Sequence, residues 1–370
     1  MRIEKDFIPA SFSRTIVEGS YTWSAPSNIA LGKYWGKKAN QIPANPSLSF
    51  TLNACKTITT LTCNKKNTST ALRMTNENFS FDLLFEGKPK EDFKPKIQKF
   101  FERIEKYCPY LKHYHFTIDT QNTFPHSSGI ASSASGMAAL AMTIMSLEKE
   151  LNPEMTDEYF YQKASFLARL GSGSACRSIK GSVVVWGNHA EIEGSSDLFG
   201  VEFPTAIHPN FNNYQDTILL VDKGEKQVSS TVGHDLMHHH PYAEKRFAQA
   251  HQNLSKLKTV LENGNLNEFI KIVESEALTL HAMMMTSMPY FILMKPNTLE
   301  IINKIWEFRN LTNIPLCFTL DAGANVHILY PAKDKVAILQ FIQTELVGYC
   351  QNEQYICDEI GNGSQLIIDN

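Results

Sequence analysis

The stretch that most constrains this chain runs from Gly129 to Leu151. It is packed with Ala, Met and Leu and contains no proline, so it reads as a buried helix. A Pro- and Ser-rich loop leads into it: Phe124-Pro125-His126-Ser127-Ser128-Gly129-Ile130-Ala131-Ser132-Ser133-Ala134-Ser135-Gly136. The start of a helix presents free N–H groups and partial positive charge, which suits phosphate. Small residues let phosphate approach the backbone, and serine hydroxyls can bond phosphate oxygens or a magnesium ion. The same residues also suit a Ser-rich N-cap in front of a tightly packed helix, and the pattern leaves both readings open. It is not a Walker A loop, because G-x-x-x-x-G-K-S/T occurs nowhere in the chain.

Around that helix the pattern alternates between strands and helices. Ile29 to Leu31, Leu48 to Leu52, Ile58 to Cys63, Tyr114 to Asp119 and Ser182 to Trp186 read as strands. Phe93 to Tyr107 has helical spacing, and Thr156 to Leu170 reads as a helix capped by Thr156. Pro204, Pro209 and several Asn residues break the pattern between Phe203 and Gln215, which predicts a linker. Beyond it, Thr217 to Val221 reads as a strand. Helices follow over Tyr242 to Leu261, Leu266 to Met284 and Thr298 to Asn310. A β-hairpin pairs Leu316 to Leu320 with Val326 to Tyr330, and a last helix spans Lys333 to Tyr349. The fold class expected is α+β in two layers, with domains at 1–205 and 206–370; a length of 370 residues suits two domains.

Lys+Arg is 35 and Asp+Glu is 38, giving a net charge of -3. Such balance argues against a protein that coats nucleic acid or an anionic membrane. The cysteines are odd in number, loosely spaced and without a Cys-x-x-Cys pair, so reduced thiols in the cytoplasm are expected rather than a zinc site or disulfide scaffold. Met1 to Ala10 is charged and lacks the apolar core of a secretory signal, and no apolar run is long enough for a transmembrane helix.

Three further segments carry chemistry. Gly171-Ser172-Gly173-Ser174-Ala175-Cys176-Arg177-Ser178 begins where a helix should end. Its small residues leave N–H groups open to an anion, and Arg177 offers a fork for carboxylate or phosphate. Cys176 has no evident histidine partner and reads as a packed thiol. Asn28-Ile29-Ala30-Leu31-Gly32-Lys33-Tyr34-Trp35-Gly36-Lys37-Lys38 sets lysines among aromatics after an apolar strand. In Leu320-Asp321-Ala322-Gly323-Ala324-Asn325, Asp321 could form an Asx-turn or hold a carboxylate rigidly to accept a hydroxyl proton. His238-His239-His240 reads as a solvated stretch before Pro241 rather than a metal site, and Met283-Met284-Met285 as core filler.

Together these segments resemble the diphosphomevalonate decarboxylase family of the GHMP kinase superfamily. Asn28 to Lys37 resembles its N-I-A-x-x-K-Y-W-G-K block, and Phe124 to Gly136 its phosphate loop. Gly171 to Ser178 matches G-S-G-S-A-C-R-S, and Leu320 to His327 resembles L-D-A-G-P-N-V-H. Ser229-Ser230-Thr231 and His281-Ala282-Met283 add support, so the resemblance spans Ser20 to Tyr330 in order. It implies a two-domain GHMP kinase-like fold, with a ribosomal-protein-like N-terminal domain and a ferredoxin-like α+β C-terminal domain. It also implies ATP with Mg2+, mevalonate 5-diphosphate as substrate, isopentenyl diphosphate as product, and a homodimer.

The resemblance further implies roles for individual residues. Asp321 would orient or deprotonate the 3-hydroxyl, Lys33 would stabilise charge beside it, and Arg177 would hold the substrate carboxylate. Tyr34, Trp35, Gly36, Lys37, Ser172, Gly173, Ser174, Ala175, Cys176 and Thr231 would contact the same substrate. Ser128, Gly129, Ser132 and Ser133 would cradle the ATP phosphates, with Ser133 a candidate magnesium ligand. The chain departs from the family at Lys38-Ala39, at Ala324, and at the first-domain helix. There, Lys94 and Lys96 precede Arg103 where relatives carry a diphosphate-binding arginine. Rival readings are a phosphomevalonate decarboxylase and a mevalonate 3-kinase-like enzyme.

Overall fold

The structure is a computed structural model that describes residues 2–66, 79–125, 130–223 and 230–368; the side chains at 230 and 231 lie outside that description. Strands β1 (Glu18–Gly32) and β2 (Ser47–Lys65) run antiparallel along almost their whole length. The short segments expected at Leu48 to Leu52 and Ile58 to Cys63 are therefore one strand. From Cys55 to Cys63 alternate residues of β2 are fully buried, the period of a strand with one face on a core. Pro26 sits inside β1 at a register shift between Pro26 and Asn28, where a missing N–H is tolerated.

Strands β3 (Ser80–Phe85) and β4 (Lys88–Pro89) form a small hairpin at the sheet edge, and helix α1 (Lys94–Ile104) follows. β5 (Tyr114–Asn122) lies between β2 and β3, antiparallel to the first and parallel to the second. α2 (Ser132–Leu151) is the buried helix; it packs on β1, β2 and α3 (Asp157–Gly171). Thr156 caps α3 as expected, its hydroxyl accepting from the Tyr159 N–H at 3.3 Å. β6 (Val183–Trp186) pairs with the start of β2, and β7 (Val201–Glu202) with β6.

The second half builds a four-stranded sheet from β8 (Gln215–Leu219), β9 (Cys317–Thr319), β10 (Val326–Tyr330) and β11 (Tyr355–Glu359), in the order β11-β8-β10-β9. The expected hairpin is present, with Thr319 opposite His327. Between β8 and β9 come α4 (Ser230–Asp235), α5 (Ala243–Asn263), α6 (Leu266–Met285) and α7 (Pro296–Thr312). The last expected helix is broken: α8 (Lys335–Phe341) gives way to a π turn and then a 3-10 turn. β12 (Gln365–Ile367) crosses back to pair with β1 in the first sheet.

The two halves share a core. Ile29, Leu31 and Phe50 pack in one cluster with Ile218, Leu254 and Phe269. This joint packing lays the C-terminal end of β1 against α6 and the β9–β10 connection. His240, expected to be solvated, is 7% exposed because α4 and α5 fold onto α6, and its Nε2 donates to the Met283 carbonyl at 3.0 Å. Met283 and Met284 are buried as expected, whereas Met285 is exposed. No helix of the described residues is long and apolar enough to cross a membrane.

Candidate active site

Lys33 leaves the end of β1 and Asp321 leaves the end of β9, so the two halves of the chain meet in one ion pair. Lys33 Nζ donates to Asp321 Oδ1 at 3.0 Å, with the lysine side chain 2% exposed and the aspartate 31%. Burial pulls the Lys33 ammonium below the usual lysine range, and the Asp321 charge opposes that fall. The main chain beneath Lys33 is pinned. Its N–H donates to Glu276 Oε2 at 2.7 Å, and its carbonyl accepts from Asn45 at 2.9 Å and Arg246 at 3.2 Å. Glu276 in turn accepts from Arg246 at 2.8 and 2.5 Å and from Asn253 at 2.6 Å. Asp321 is fixed through its own carbonyl, which accepts from His281 Nε2 at 3.1 Å. Burial pushes the His281 imidazole down to about 4, so it is neutral at physiological pH.

Arg177 faces this pair from another element. The small residues after α3 form a 3-10 turn, Gly173–Ser178, that buries the arginine to 3% exposure. Its Nη1 donates to the Ser47 hydroxyl at 2.5 Å, and its Nε and Nη2 reach Asn28 Oδ1 at 3.4 and 3.3 Å. Asn28 is itself held by donating to Ser178 at 2.8 Å and to the Ser174 carbonyl at 3.2 Å. These partners are neutral, so a buried guanidinium reaches the cleft wall without a carboxylate of its own within ion-pair distance among the described residues. Such a group favours an anionic ligand. Gly173 is needed where it stands, since a Cβ there would meet the Tyr34 hydroxyl at 3.0 Å and the Trp186 ring at 3.1 Å.

Lys33, Asp321 and Arg177 line a cleft of about 230 Å³ with Tyr34, Trp35, Lys37, Ser133, Ser172, Gly173 and Ser174. Ser133 at the start of α2 and Ser172 after α3 bring their hydroxyls within 3.4 Å of each other. Gly36, Ala175 and Cys176 lie behind the wall rather than on it. Gly36 has φ 94 and its N–H donates to His234 Nδ1 at 2.9 Å. The Cys176 thiol donates to the Gly173 carbonyl at 3.1 Å and is pushed up to about 12 by burial, which suits packing and not nucleophilic attack. Lys94 turns outward to pair with Glu91 at 2.9 Å, whereas Lys96 reaches the cleft, its ammonium lowered by desolvation.

Beside the cleft lies a chamber of about 280 Å³, walled by Phe85, Phe93, Ile118, Met137 and Leu140 and sharing Lys96 and Ser133 with the cleft. Ser132 lines this chamber. Ser128 and Gly129 lie outside the described residues, as does the side chain of Thr231.

Several residues that shape the site carried no readable signal. Glu276, Arg246 and Asn253 sit within helices where polar residues normally mark a solvated face; only the seven-residue spacing of Arg246 and Asn253 hints that they share one. His234 also went unread. Its ring lies 4.2 Å from Tyr34 and 4.6 Å from Trp35, and burial with the charge of Lys37 pushes it down to about 3.

Known proteins share this fold and sequence pattern. Residues 25–197 match the diphosphomevalonate decarboxylase-like N-terminal domain, and residues 217–365 match the mevalonate 5-diphosphate decarboxylase C-terminal domain. The diphosphomevalonate decarboxylase of Saccharomyces cerevisiae is 29% identical over 89% of this chain and 81% of its own length. The mevalonate diphosphate decarboxylase of Staphylococcus aureus superposes with a TM-score of 0.79 at 27% identity, over 95% of this chain and 98% of that one. A complex of MDDEF with MVAPP, AMPPCP and magnesium gives a TM-score of 0.78 at 28% identity, over 95% and 99%. With both of its domains matched in order and its fold shared along nearly the whole chain, the protein belongs to the diphosphomevalonate decarboxylase family.

Proposed function

We propose that this chain catalyses the ATP-dependent decarboxylation of (R)-mevalonate 5-diphosphate to isopentenyl diphosphate, releasing ADP, phosphate and carbon dioxide, within the mevalonate pathway of isoprenoid biosynthesis. The observation that carries this reading is the Lys33–Asp321 pair facing a buried, carboxylate-free Arg177 across one cleft. Asp321 orients the 3-hydroxyl and takes its proton as that oxygen attacks the γ-phosphorus of ATP. Lys33 sits beside the transferring group and stabilises its charge. Arg177 holds the substrate carboxylate. The bond to that carboxylate then breaks, its electron pair forms the new C=C bond, and the 3-phosphate leaves with the C–O electrons. Elimination thus needs no further base.

The diphosphate lies against Tyr34, Trp35, Lys37, Ser172 and Ser174, with Lys96 as the cation supplied by α1. A lysine holds phosphate as a point charge without the two-pronged grip of an arginine. Ser132 and Ser133, with Ser128 and Gly129 before them, cradle the ATP phosphates, and the apolar chamber beside them takes the adenosine. No cluster of three His, Cys, Asp or Glu side chains suited to a metal occurs among the described residues. The donors present fit magnesium held mainly by phosphate oxygens and water, with Ser133 as the protein hydroxyl. Bound there, the ion offsets phosphate charge.

The same proposal divides the chain at 1–205 and 206–370 and places the protein in the cytoplasm as a homodimer. Its described cysteines are free, as a reducing compartment requires. The test supplies ATP, magnesium and either mevalonate 5-diphosphate or mevalonate 5-phosphate, and measures carbon dioxide together with phosphate. Release of both from the diphosphate is expected. Carbon dioxide from the monophosphate alone would overturn the substrate, and ADP without carbon dioxide would make the protein a kinase.

A further inference from the structure

A second cavity, of about 390 Å³, opens beside the active cleft and shares Lys37 and Gln41 with it. The partition between them is the turn Ala39–Gln41, in which Asn40 (φ 55) and Gln41 (φ 59) are both left-handed. Non-glycine residues hold that conformation only where their surroundings enforce it. Here the Lys38 N–H donates to the Ile42 carbonyl at 2.7 Å, and the buried Arg169 guanidinium donates to the Asn40 carbonyl.

The cavity is strongly cationic. Lys37, Lys38, Arg103 and Lys106 line it, and among the described residues Asp235 is its sole carboxylate. Asp235 sits 3.6 Å from Lys37, and Glu4, outside the lining, takes Lys106 at 2.6 Å. Lys38 and Arg103 remain in excess. Arg103 is held by donating to the Leu170 carbonyl at 2.8 Å, which is neutral. Arg169 adds a further cation behind the turn, its hydrogen bonds going to the carbonyls of Leu198 and Asn40. This local excess stands in a chain whose net charge is -3. Lys96 and Arg103, seven residues apart on α1, lie on one helix face, so α1 gives one cation to the active cleft and one to its neighbour.

We propose that this cavity is a second anion subsite, which takes the phosphate or diphosphate group of a small metabolite and is coupled to the active cleft through Lys37. Filling it draws on a cation that the cleft also uses. The subsite is separate from the chemistry proposed above, and its binding test needs no turnover.

The test titrates inorganic pyrophosphate, and separately inorganic phosphate, into the full chain by calorimetry at low ionic strength. Three proteins are compared: the wild type, Lys38→Ala/Lys106→Ala, and Lys96→Ala, the last removing the cation that α1 supplies to the diphosphate in the cleft. Pyrophosphate should bind the wild type at two sites. The double variant should weaken one of them about tenfold, as expected for two partly exposed charges in weak salt. Its melting temperature and substrate turnover should stay unchanged, while Lys96→Ala weakens only the other site. A matching loss with phosphate would show that one phosphate group fills the subsite, and a loss with pyrophosphate alone that it takes two; both support it. Identical pyrophosphate binding in the double variant and wild type would overturn the proposal. So would loss of all binding in Lys96→Ala, or loss of turnover in the double variant.

Discussion

Two ion pairs meet at Lys33, and their difference separates scaffold from chemistry. Arg246 and Glu276 lie behind the lysine, each 0% exposed, with Glu276 filled by Arg246, Asn253 and the Lys33 N–H. Lys33 and Asp321 lie in front, and the aspartate keeps 31% of its side chain open to the cleft. The rear carboxylate has no capacity left for a ligand. The front carboxylate is exposed at the cleft, and its pairing with Lys33 helps fix where it points. A buried pair whose carboxylate is fully occupied serves position; a pair whose carboxylate is exposed at the cleft can exchange a proton.

Breaking the front pair should cost rate. Lys33→Met keeps the main-chain contacts to Glu276, Asn45 and Arg246 but removes the ammonium. Steady-state phosphate release should fall about 10²–10⁴-fold while the melting temperature changes little. Breaking the rear pair should cost stability instead. Glu276→Gln leaves Arg246 buried and uncompensated, and urea unfolding should show a loss of about 3–5 kcal/mol. The folded fraction should keep most of its turnover. If the two variants exchanged these phenotypes, the division between front and rear would be wrong.

Smaller effects sharpen the same contrast. His281, behind Asp321, and His234, between Tyr34 and Trp35, are both buried and neutral, pushed to about 4 and about 3. Neither should place a step near 6.5 in the pH profile of kcat/KM, and a step removed by His281→Gln would contradict this. Their folded values lie below the ordinary 6.5, so in acid the unfolded chain takes protons that the folded one refuses. Their contribution to stability is therefore complete above about 6.5 and is lost as pH falls towards 4 and then 3, which melts at graded pH will reveal. Smallest is Cys176→Ala: turnover should stay within about twofold, with about 1–2 kcal/mol lost on unfolding from the missing sulfur and its hydrogen bond.

The front of the site was legible and the rear was not, for a physical reason. Most residues that line the cleft come from short contiguous runs at a strand end, a helix start and tight turns, where neighbouring side chains and backbone N–H groups act together. The runs around Lys33, Ser172 and Asp321 could thus be read as motifs. The residues that hold these runs come singly from distant helices. Arg246 and Glu276 look like surface charges until α5 and α6 are packed together, and His234 gains meaning only between two rings contributed by β1's continuation. The fold shows the same division. Alternation marked the central strands, while β12, three residues long, became a strand only by pairing with β1. The expected last helix ran past its true end because apolar spacing cannot show the π turn that follows Phe341.

The central claim is that Asp321 acts on the substrate hydroxyl, and Asp321→Asn tests it with the fewest intermediates. The change keeps size and hydrogen bonding but removes the proton acceptor. Carbon dioxide release from mevalonate 5-diphosphate should fall by about 10³-fold or more, while calorimetric affinity for that substrate stays within about threefold of wild type. Near-normal carbon dioxide release from the variant would contradict the account.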